Sequence, residues 1–277
     1  MKKFLFVAVL TGLLFSSWLN AVEDSNQSVK ETPQVIKHTI PYLNMSENYK
    51  TFIKVFNNGE CEIVGKVIVY GDNGAHNDEY SVFPIITSLK PKHSRLIFAE
   101  NIRQIAENMG IYLPNAFGMD IFYSCKGDKV LKRDKIFTLV LQKSPEGQRV
   151  VPVYRNFDEI NPQGSGKMII PHIFHEEYSN IGGFKFFIKI LNTSFKSAPI
   201  TIKAYTSEGK EFRTNWILTA KKATLIRGKE LYNALGVPYN VSLALVIEVP
   251  EDMEFLYPMA VQKTYNGPRV LKVYKIK

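Results

Sequence analysis

The sequence predicts an all-β protein made of two tandem antiparallel β-sandwich domains, each with one short helix. A hairpin-like segment occurs twice, at residues 139–154 (LVLQKSPEGQRVVPVY) and 259–274 (MAVQKTYNGPRVLKVY). Both copies alternate apolar and polar residues around a turn cluster, which is typical of a β-hairpin. The other strand-like runs follow one another without the helices of about 10–15 residues that parallel βαβ units carry.

The N-terminus has the form of a secretory signal peptide over residues 1–21. Two lysines precede an apolar run from Phe4 to Phe15, and Ala21 is the predicted cleavage residue. A membrane-spanning helix needs roughly 20 apolar residues, so this shorter run predicts cleavage. Residues 22–34 are polar and form a predicted flexible lead-in. We therefore expect an exported protein, periplasmic or extracellular at the cell surface, with no membrane span after signal cleavage.

The duplication divides the remaining chain into matched parts. Residues 35–155 are the first predicted sandwich repeat, residues 156–167 are a linker rich in Pro, Gly and polar residues, and residues 168–277 are the second repeat. Thr51–Phe56 and Phe186–Leu191 are matching predicted strands. In each repeat an Asn-Asn or Asn-Thr turn and a strand ending in Tyr come next.

One helical signal occurs in each repeat. Ile102, Ile105, Ala106 and Met109 recur at helical spacing before Gly110, which favours a helix end. A shorter version of the same pattern ends at Gly236. A further strand and the repeated hairpin complete each repeat, and the paired tyrosines Tyr154 and Tyr274 are expected in the core.

The only two cysteines, Cys61 and Cys125, both lie in the first repeat. An even number of cysteines in an exported protein predicts a disulfide. The second repeat has Lys196 and Pro250 at the matching positions, so the fold itself does not require a bridge.

The order of strand, Asn turn, strand ending in Tyr, Gly turn and Leu-turn-Leu-Ile resembles immunoglobulin-like β-sandwich repeats of exported bacterial proteins. This resemblance implies a scaffold that hosts many functions. Tyr123-Ser-Cys125 is similar to the tyrosine corner of immunoglobulin domains. Cys61, however, follows the Asn turn instead of lying in mid-strand, so a bridge would join loops at one end of the sandwich.

Two groups of residues are candidate sites. His172, His175 and Glu176 could ligate a metal ion, although their spacing differs from the i, i+4 histidines of zinc hydrolases. Outside this cluster, His38, His76 and His93 lie in polar contexts that predict surface positions.

The second group is basic. Lys143, Arg149, Lys263 and Arg269 recur in both hairpins and could contact an anion or a partner. Pairing of each Arg with the Gln across its hairpin is the alternative.

The net charge and the residue composition limit the classes of function that we expect for this chain. The formal net charge of +9 falls to +7 when the two leader lysines are removed. Export and the absence of an Arg-rich run argue against nucleic acid binding. We expect a non-catalytic cell-envelope protein, without a cofactor, that binds another envelope or surface protein or serves a structural role. The alternatives are a two-domain periplasmic assembly chaperone and a metal-dependent hydrolase using His172, His175 and Glu176.

Overall fold

The computed structural model describes residues 35–71, 81–127, 129–145, 147–155, 166–176, 184–250, 256–264 and 267–276. The predicted signal peptide and lead-in lie outside the described residues, as does most of the predicted linker. Lys167, the last residue of that linker, is the first residue of a strand. Among the described segments, no helix has the length and apolar character needed to cross a membrane.

The described part of the first half contains nine strands, one α-helix and a 3-10 turn at Arg133–Lys135. The elements are β1 (Ile36–Asn44), β2 (Lys50–Asn57), β3 (Ile63–Gly71), β4 (Ser81–Leu89), β5 (Ser94–Phe98), α1 (Ala99–Asn108), β6 (Ala116–Cys125), β7 (Ile136–Ser144), β8 (Gly147–Val151) and β9 (Tyr154–Arg155).

The described part of the second half repeats this order of elements. They are β10 (Lys167–Ile173), β11 (Lys185–Asn192), β12 (Ala198–Tyr205), β13 (Glu211–Leu218), β14 (Lys222–Arg227), α2 (Gly228–Leu235), β15 (Leu243–Glu248), β16 (Leu256–Thr264), β17 (Gly267–Leu271) and β18 (Tyr274–Ile276).

The strands form four antiparallel sheets, two in each half. Sheet I has the order β5-β2-β7-β8 and sheet II the order β4-β3-β6-β1-β9. Sheet III, with β14-β11-β16-β17, matches sheet I strand for strand, and sheet IV, with β13-β12-β15-β10-β18, matches sheet II. The predicted all-β fold with one short helix in each half is therefore confirmed.

The strand registers of the two halves agree as well. Phe52 lies opposite Leu141 in sheet I, and Phe187 lies opposite Val261 at the same place in sheet III. The same holds along both sheets, so residues can be paired between the halves by ladder position. We call such pairs equivalents. This agreement supports the duplication that the repeated hairpin predicted.

The repeated hairpins and helix ends lie where the sequence predicts them. Strands β7 and β8 pair as a hairpin, as do β16 and β17. Gly110 and Gly236 follow the two helices with φ angles of +74° and +67°, which are favourable for glycine.

Tyr154 and Tyr274 leave the hairpins and join the facing sheets II and IV. Tyr274 is 43% exposed, so its predicted core position is wrong. The short strand β18 lies at the edge of sheet IV, where no further layer covers it in the described chain.

The four sheets are layered in the order I, II, III, IV. Sheets I and II enclose the core of the first half, and sheets III and IV enclose that of the second. Met259 and Val261 of β16 pack into the first core, because the outer side of sheet II lies on the outer side of sheet III. The hairpins β7–β8 and β16–β17 touch at one edge through β8 and β17.

The predicted disulfide is present between Cys61 and Cys125, with their Cα atoms 5.7 Å apart. Cys61 precedes β3 and Cys125 is the last residue of β6, whose partner across the ladder is Ile63. The bridge therefore lies at one end of the sandwich and joins the segment before β3 to the end of β6 without crossing between sheets.

Candidate interaction face

His175, the central residue of the predicted metal cluster, is packed into the second half of the protein. Its ring lies 5.7 Å from the rings of both Tyr232 and Tyr239. Gly228, the first residue of α2, is needed here because a Cβ would come within 2.6 Å of the Nδ1 atom of His175. Burial lowers the pKa of His175, with further lowering by Lys185 and Lys229. The equivalent residue, Met45, is also buried. The environment of His175 is therefore that of a core side chain.

The other two members of the cluster do not gather around His175. His172 is exposed on the outer side of β10, and the carboxylate of Glu176 accepts a hydrogen bond from the backbone of Phe184 at 3.1 Å. Within the described segments, no three His, Cys, Asp or Glu side chains are grouped so that they could hold a metal ion. The hydrolase alternative thus gains no support from the described residues.

Arg149 lies at the junction of the two halves. Its Nε atom donates a 2.9 Å hydrogen bond to the Oε1 atom of Gln142, and its guanidinium lies 5.7 Å from the ring of Tyr42 and 5.8 Å from that of Phe187. The side chain is buried. The cross-hairpin pairing that the sequence offered as an alternative is what the structure shows at this residue.

The remaining basic candidates lie nearer the surface. Lys143 and Arg269 are exposed, and Lys263 is half-buried. Lys143 faces Lys50 across the ladder, and Lys263 faces Lys185 in the same way. Since β8 and β17 are neighbours, the two lysine-bearing hairpins lie side by side. An anion or partner contact at these residues stays a prediction.

A buried polar cluster lies where sheet II meets sheet III. The carboxylate of Asp120 accepts hydrogen bonds from Thr39 at 2.6 Å and Tyr70 at 2.8 Å, and it lies 3.2 Å from the ammonium of Lys37. Burial acts to lower the pKa of Lys37, but Asp120 and Tyr257 outweigh it and the pKa is raised. Tyr257 enters from the second half beside Thr39 and Lys37, and the Lys37 ammonium lies 5.5 Å from the centre of its ring. These side chains are matched partners and fix how the halves meet.

Apolar and cationic side chains of sheet III complete this internal interface. Lys189 is 0% exposed, and its ammonium lies 3.9 Å from the centre of the Tyr42 ring. Leu191 packs on Gly118, where a Cβ would come within 2.9 Å of the leucine methyl carbons. The close approach of sheets II and III at this point therefore requires glycine at position 118.

The outer side of sheet I is apolar, and no described strand or helix packs over it, although the Arg155 guanidinium lies 5.0 Å from the centre of the Phe137 ring. We call this outer side the sheet I face. Phe52 and Phe98 form an edge-to-face pair there, and Phe56 stacks with Phe137 at 6.2 Å between ring centres. The large apolar side chains that are exposed or half-buried on this face are Phe52, Phe56, Leu96, Phe98, Phe137, Leu139, Leu141 and Val150. Contiguous exposed apolar patches of this kind mark interaction surfaces.

The sheet I face is the equivalent of the side of sheet III that is buried between the halves. Leu139 is 44% exposed whereas its equivalent Met259 is 1% exposed, and Phe137 is 39% exposed against 8% for Tyr257. The same side of the sheet is thus covered in one half and open in the other. The repeat alignment contains these residues, but it does not tell which copy is covered, so sequence reasoning missed this face.

No protein-family model matches the sequence. No curated protein matches it significantly.

Proposed function

We propose that the chain is a non-catalytic exported protein of the cell envelope that binds another protein through the sheet I face. It would do so as two tandem immunoglobulin-like sandwiches, of which the second stabilises and orients the first. The predicted signal peptide supports export, and the disulfide Cys61–Cys125 fits an oxidising compartment. A structural role in the envelope is the closely related form of the same proposal.

The observation that carries this proposal is the exposure of the sheet I face. Burying large apolar side chains contributes roughly 1.5–3 kcal/mol for each side chain that leaves water completely, so an uncovered set of eight is costly unless a partner covers it. The face also carries basic residues, because Lys50 and Lys143 are exposed at one end of it and Lys54 is exposed between Phe52 and Phe56. Strands β2, β5, β7 and β8 contain no Asp or Glu. Clustered aromatic and aliphatic side chains with polar neighbours are usual in protein–protein interfaces. A central lysine is compatible with burial here, because Lys189, the equivalent of Lys54, is buried in the internal interface.

Site-specific photo-crosslinking in the cell envelope tests this proposal. A photo-crosslinking amino acid replaces Leu139 on the sheet I face, and a matched control replaces Tyr112, which is 72% exposed but lies in the loop after α1. We expect discrete protein adducts from position 139 that are missing from position 112. Equal patterns from the two positions, or no adduct from position 139, would contradict binding through this face.

A further inference from the structure

We propose that the sheet I face binds the outer side of sheet IV of a second copy of this chain, so that copies associate head to tail. This inference rests on the proposed function and names the partner. Within one chain, sheets II and III already pack on each other through their outer sides. These are the equivalents of the outer sides of sheets IV and I, so the same kind of contact can form between two copies. Sheet I is the equivalent of sheet III, and sheet IV is the equivalent of sheet II.

No described residue lies over the outer side of sheet IV, which carries apolar residues at several of the positions that form the internal interface in sheet II. We call this outer side the sheet IV face. Its members are Ile169, Tyr205, Ala244, Val246 and Tyr274, all exposed or half-buried. Their sheet II equivalents are Thr39, Tyr70, Gly118, Asp120 and Tyr154, which contact the second half or take part in the buried polar cluster there.

The residues of the internal interface that are polar have apolar equivalents on both open faces. Inside the chain, the hydroxyl of Tyr257 meets the polar group formed with Thr39 and Asp120. On the sheet I face the equivalent of Tyr257 is Phe137, which has no hydroxyl. On the sheet IV face Ile169 and Val246 stand in place of Thr39 and Asp120. The polar groups of Thr39, Asp120 and Tyr257 are therefore replaced by apolar ones on both open sides together. Each side keeps one lysine among its apolar residues, Lys54 on the sheet I face and Lys203 opposite Val246 on the sheet IV face.

The charged residues favour this pairing over a two-fold contact of the sheet I face with itself. A two-fold contact would bring together the exposed ammonium groups of Lys50, Lys54 and Lys143 and no carboxylate. Sheet IV carries Glu211 and Glu248. Glu248 pairs with Lys203 at 2.7 Å and with Lys167 at 3.6 Å, so sheet IV places a carboxylate beside its apolar residues, which the sheet I face lacks.

Head-to-tail contacts use two different surfaces and do not close on themselves unless the rotation between copies closes a ring. However many copies associate, one sheet I face stays open at one end of the assembly and one sheet IV face stays open at the other. We therefore expect a series of species that grows with concentration, in contrast to a single closed dimer.

Sedimentation velocity on the exported, purified chain tests this inference. The variants are Leu139→Glu on the sheet I face and Val246→Glu on the sheet IV face. The first half carries a carboxylate at the position equivalent to 246, so the strand accommodates one. Matched controls are Tyr112→Glu and Ile217→Glu. Ile217 is an exposed apolar residue on the same outer side of sheet IV, but it lies on edge strand β13, outside the equivalent of the internal interface. Circular dichroism shows whether each variant is folded.

We expect the wild-type chain and both controls to form the growing series, and each face variant alone to weaken self-association by at least tenfold. Mixing the two face variants in equal amounts should restore a one-to-one complex that does not grow, because each supplies the face that the other lacks. A wild-type chain that stays monomeric at every concentration would overturn the inference. So would a closed dimer that only Leu139→Glu disrupts and that mixing does not restore.

The two proposals fail in different ways. If the chain is monomeric but position 139 still gives a discrete adduct with a different protein in the envelope, the partner is another protein and the proposed function stands. If the chain is monomeric and position 139 gives no adduct, both proposals are wrong.

Discussion

The hydroxyl of Tyr154 donates a hydrogen bond to the backbone carbonyl of Pro258, so the last strand of the first half is joined to β16 of the second. Burial raises the pKa of Tyr154, which keeps the phenol protonated and able to donate. The ring also lies 5.5 Å from that of Tyr257. Its equivalent Tyr274 occupies the same position on the open sheet IV face. Tyr154 therefore lies on the covered outer side of sheet II, and Tyr274 lies on the open outer side of the equivalent sheet IV.

The first prediction concerns this hydrogen bond. Replacing Tyr154 by Phe removes only the hydroxyl and leaves the Pro258 carbonyl without this donor, so we expect a loss of about 1 kcal/mol in the free energy of unfolding. The same change at Tyr274 should alter stability by less than about 0.5 kcal/mol, because that side chain is exposed. Urea unfolding of both variants and the wild type measures this. Equal losses at the two positions would show that Tyr154 does not stabilise the contact between the halves.

The second prediction concerns the buried carboxylate of Asp120. Asp120→Asn keeps the shape of the side chain but removes the charge opposite Lys37, whose side chain is 13% exposed. We expect a loss of about 2–4 kcal/mol in unfolding free energy, because the ammonium stays buried without its carboxylate. Asp134→Asn is the control, since this side chain is 70% exposed and forms a surface pair with Lys135. Urea midpoints for the two variants that shift by the same amount would contradict the prediction.

The sequence predicts the local elements of this fold well. Turn residues, hairpin alternation and the helical spacing around Ile102 are local signals, and each one depends on residues close together in the chain. Strand β4 is harder to recognise because it contains Pro84 and its register with β3 is irregular near Gly65. The duplication itself is visible because equivalents such as Gln142 and Gln262 retain both their type and their position across a hairpin.

The packing of the halves could not be predicted from the same patterns, because side-chain polarity does not tell which copy of a duplicated face is covered. Lys189 has the pattern of a surface lysine but is buried against Tyr42. Leu139 has the pattern of a core leucine but is exposed. The polar sequence context of His38 predicted a surface position, but this residue is buried. His93 is exposed as predicted, and His76 lies outside the described residues.

The third prediction concerns the disulfide. The bridge closes a segment of 64 residues in the first half, so the loss of chain entropy in the unfolded state predicts a stabilisation of about 2–4 kcal/mol. The double variant Cys61→Ser, Cys125→Ser should unfold at correspondingly lower urea concentration than the oxidised wild type. Adding reductant should lower the midpoint of the wild type and leave that of the double variant unchanged. Two reactive thiols in the denatured, non-reduced wild type would show that the bridge does not form.

The fourth prediction separates a metal site from a packed histidine at position 175. Elemental analysis of the purified chain should find zinc well below one atom per chain. His175→Ala should lower the unfolding free energy by about 1–3 kcal/mol, since it removes contacts with Tyr232 and Tyr239, while His172→Ala should have little effect. Stoichiometric zinc that His175→Ala abolishes would restore the hydrolase alternative.

The fifth prediction concerns His38, which is held neutral inside the first half. Its Nδ1 atom lies 2.8 Å from the hydroxyl of Thr138, and its ring meets that of Tyr123 edge to face. Burial, aided by the nearby charge of Arg155, lowers the pKa of His38 to about 3. Between this value and the ordinary pKa of about 6.5, the unfolded chain binds a proton that the folded chain does not. Stability should therefore fall as the pH falls through this window.

For one such group the slope is about 1.4 kcal/mol per pH unit, so we expect His38 to account for a loss of roughly 2 kcal/mol between pH 7 and pH 5. The matched variant is His38→Met, because the equivalent residue Met168 is buried at the same position in the second half. This variant should lose that part of the pH dependence and keep whatever His175, whose pKa is also lowered, contributes. His93→Met, at an exposed position, should retain the wild-type profile. Urea unfolding at several pH values measures the difference, and parallel profiles for the wild type and His38→Met would show that His38 is not held neutral by the fold.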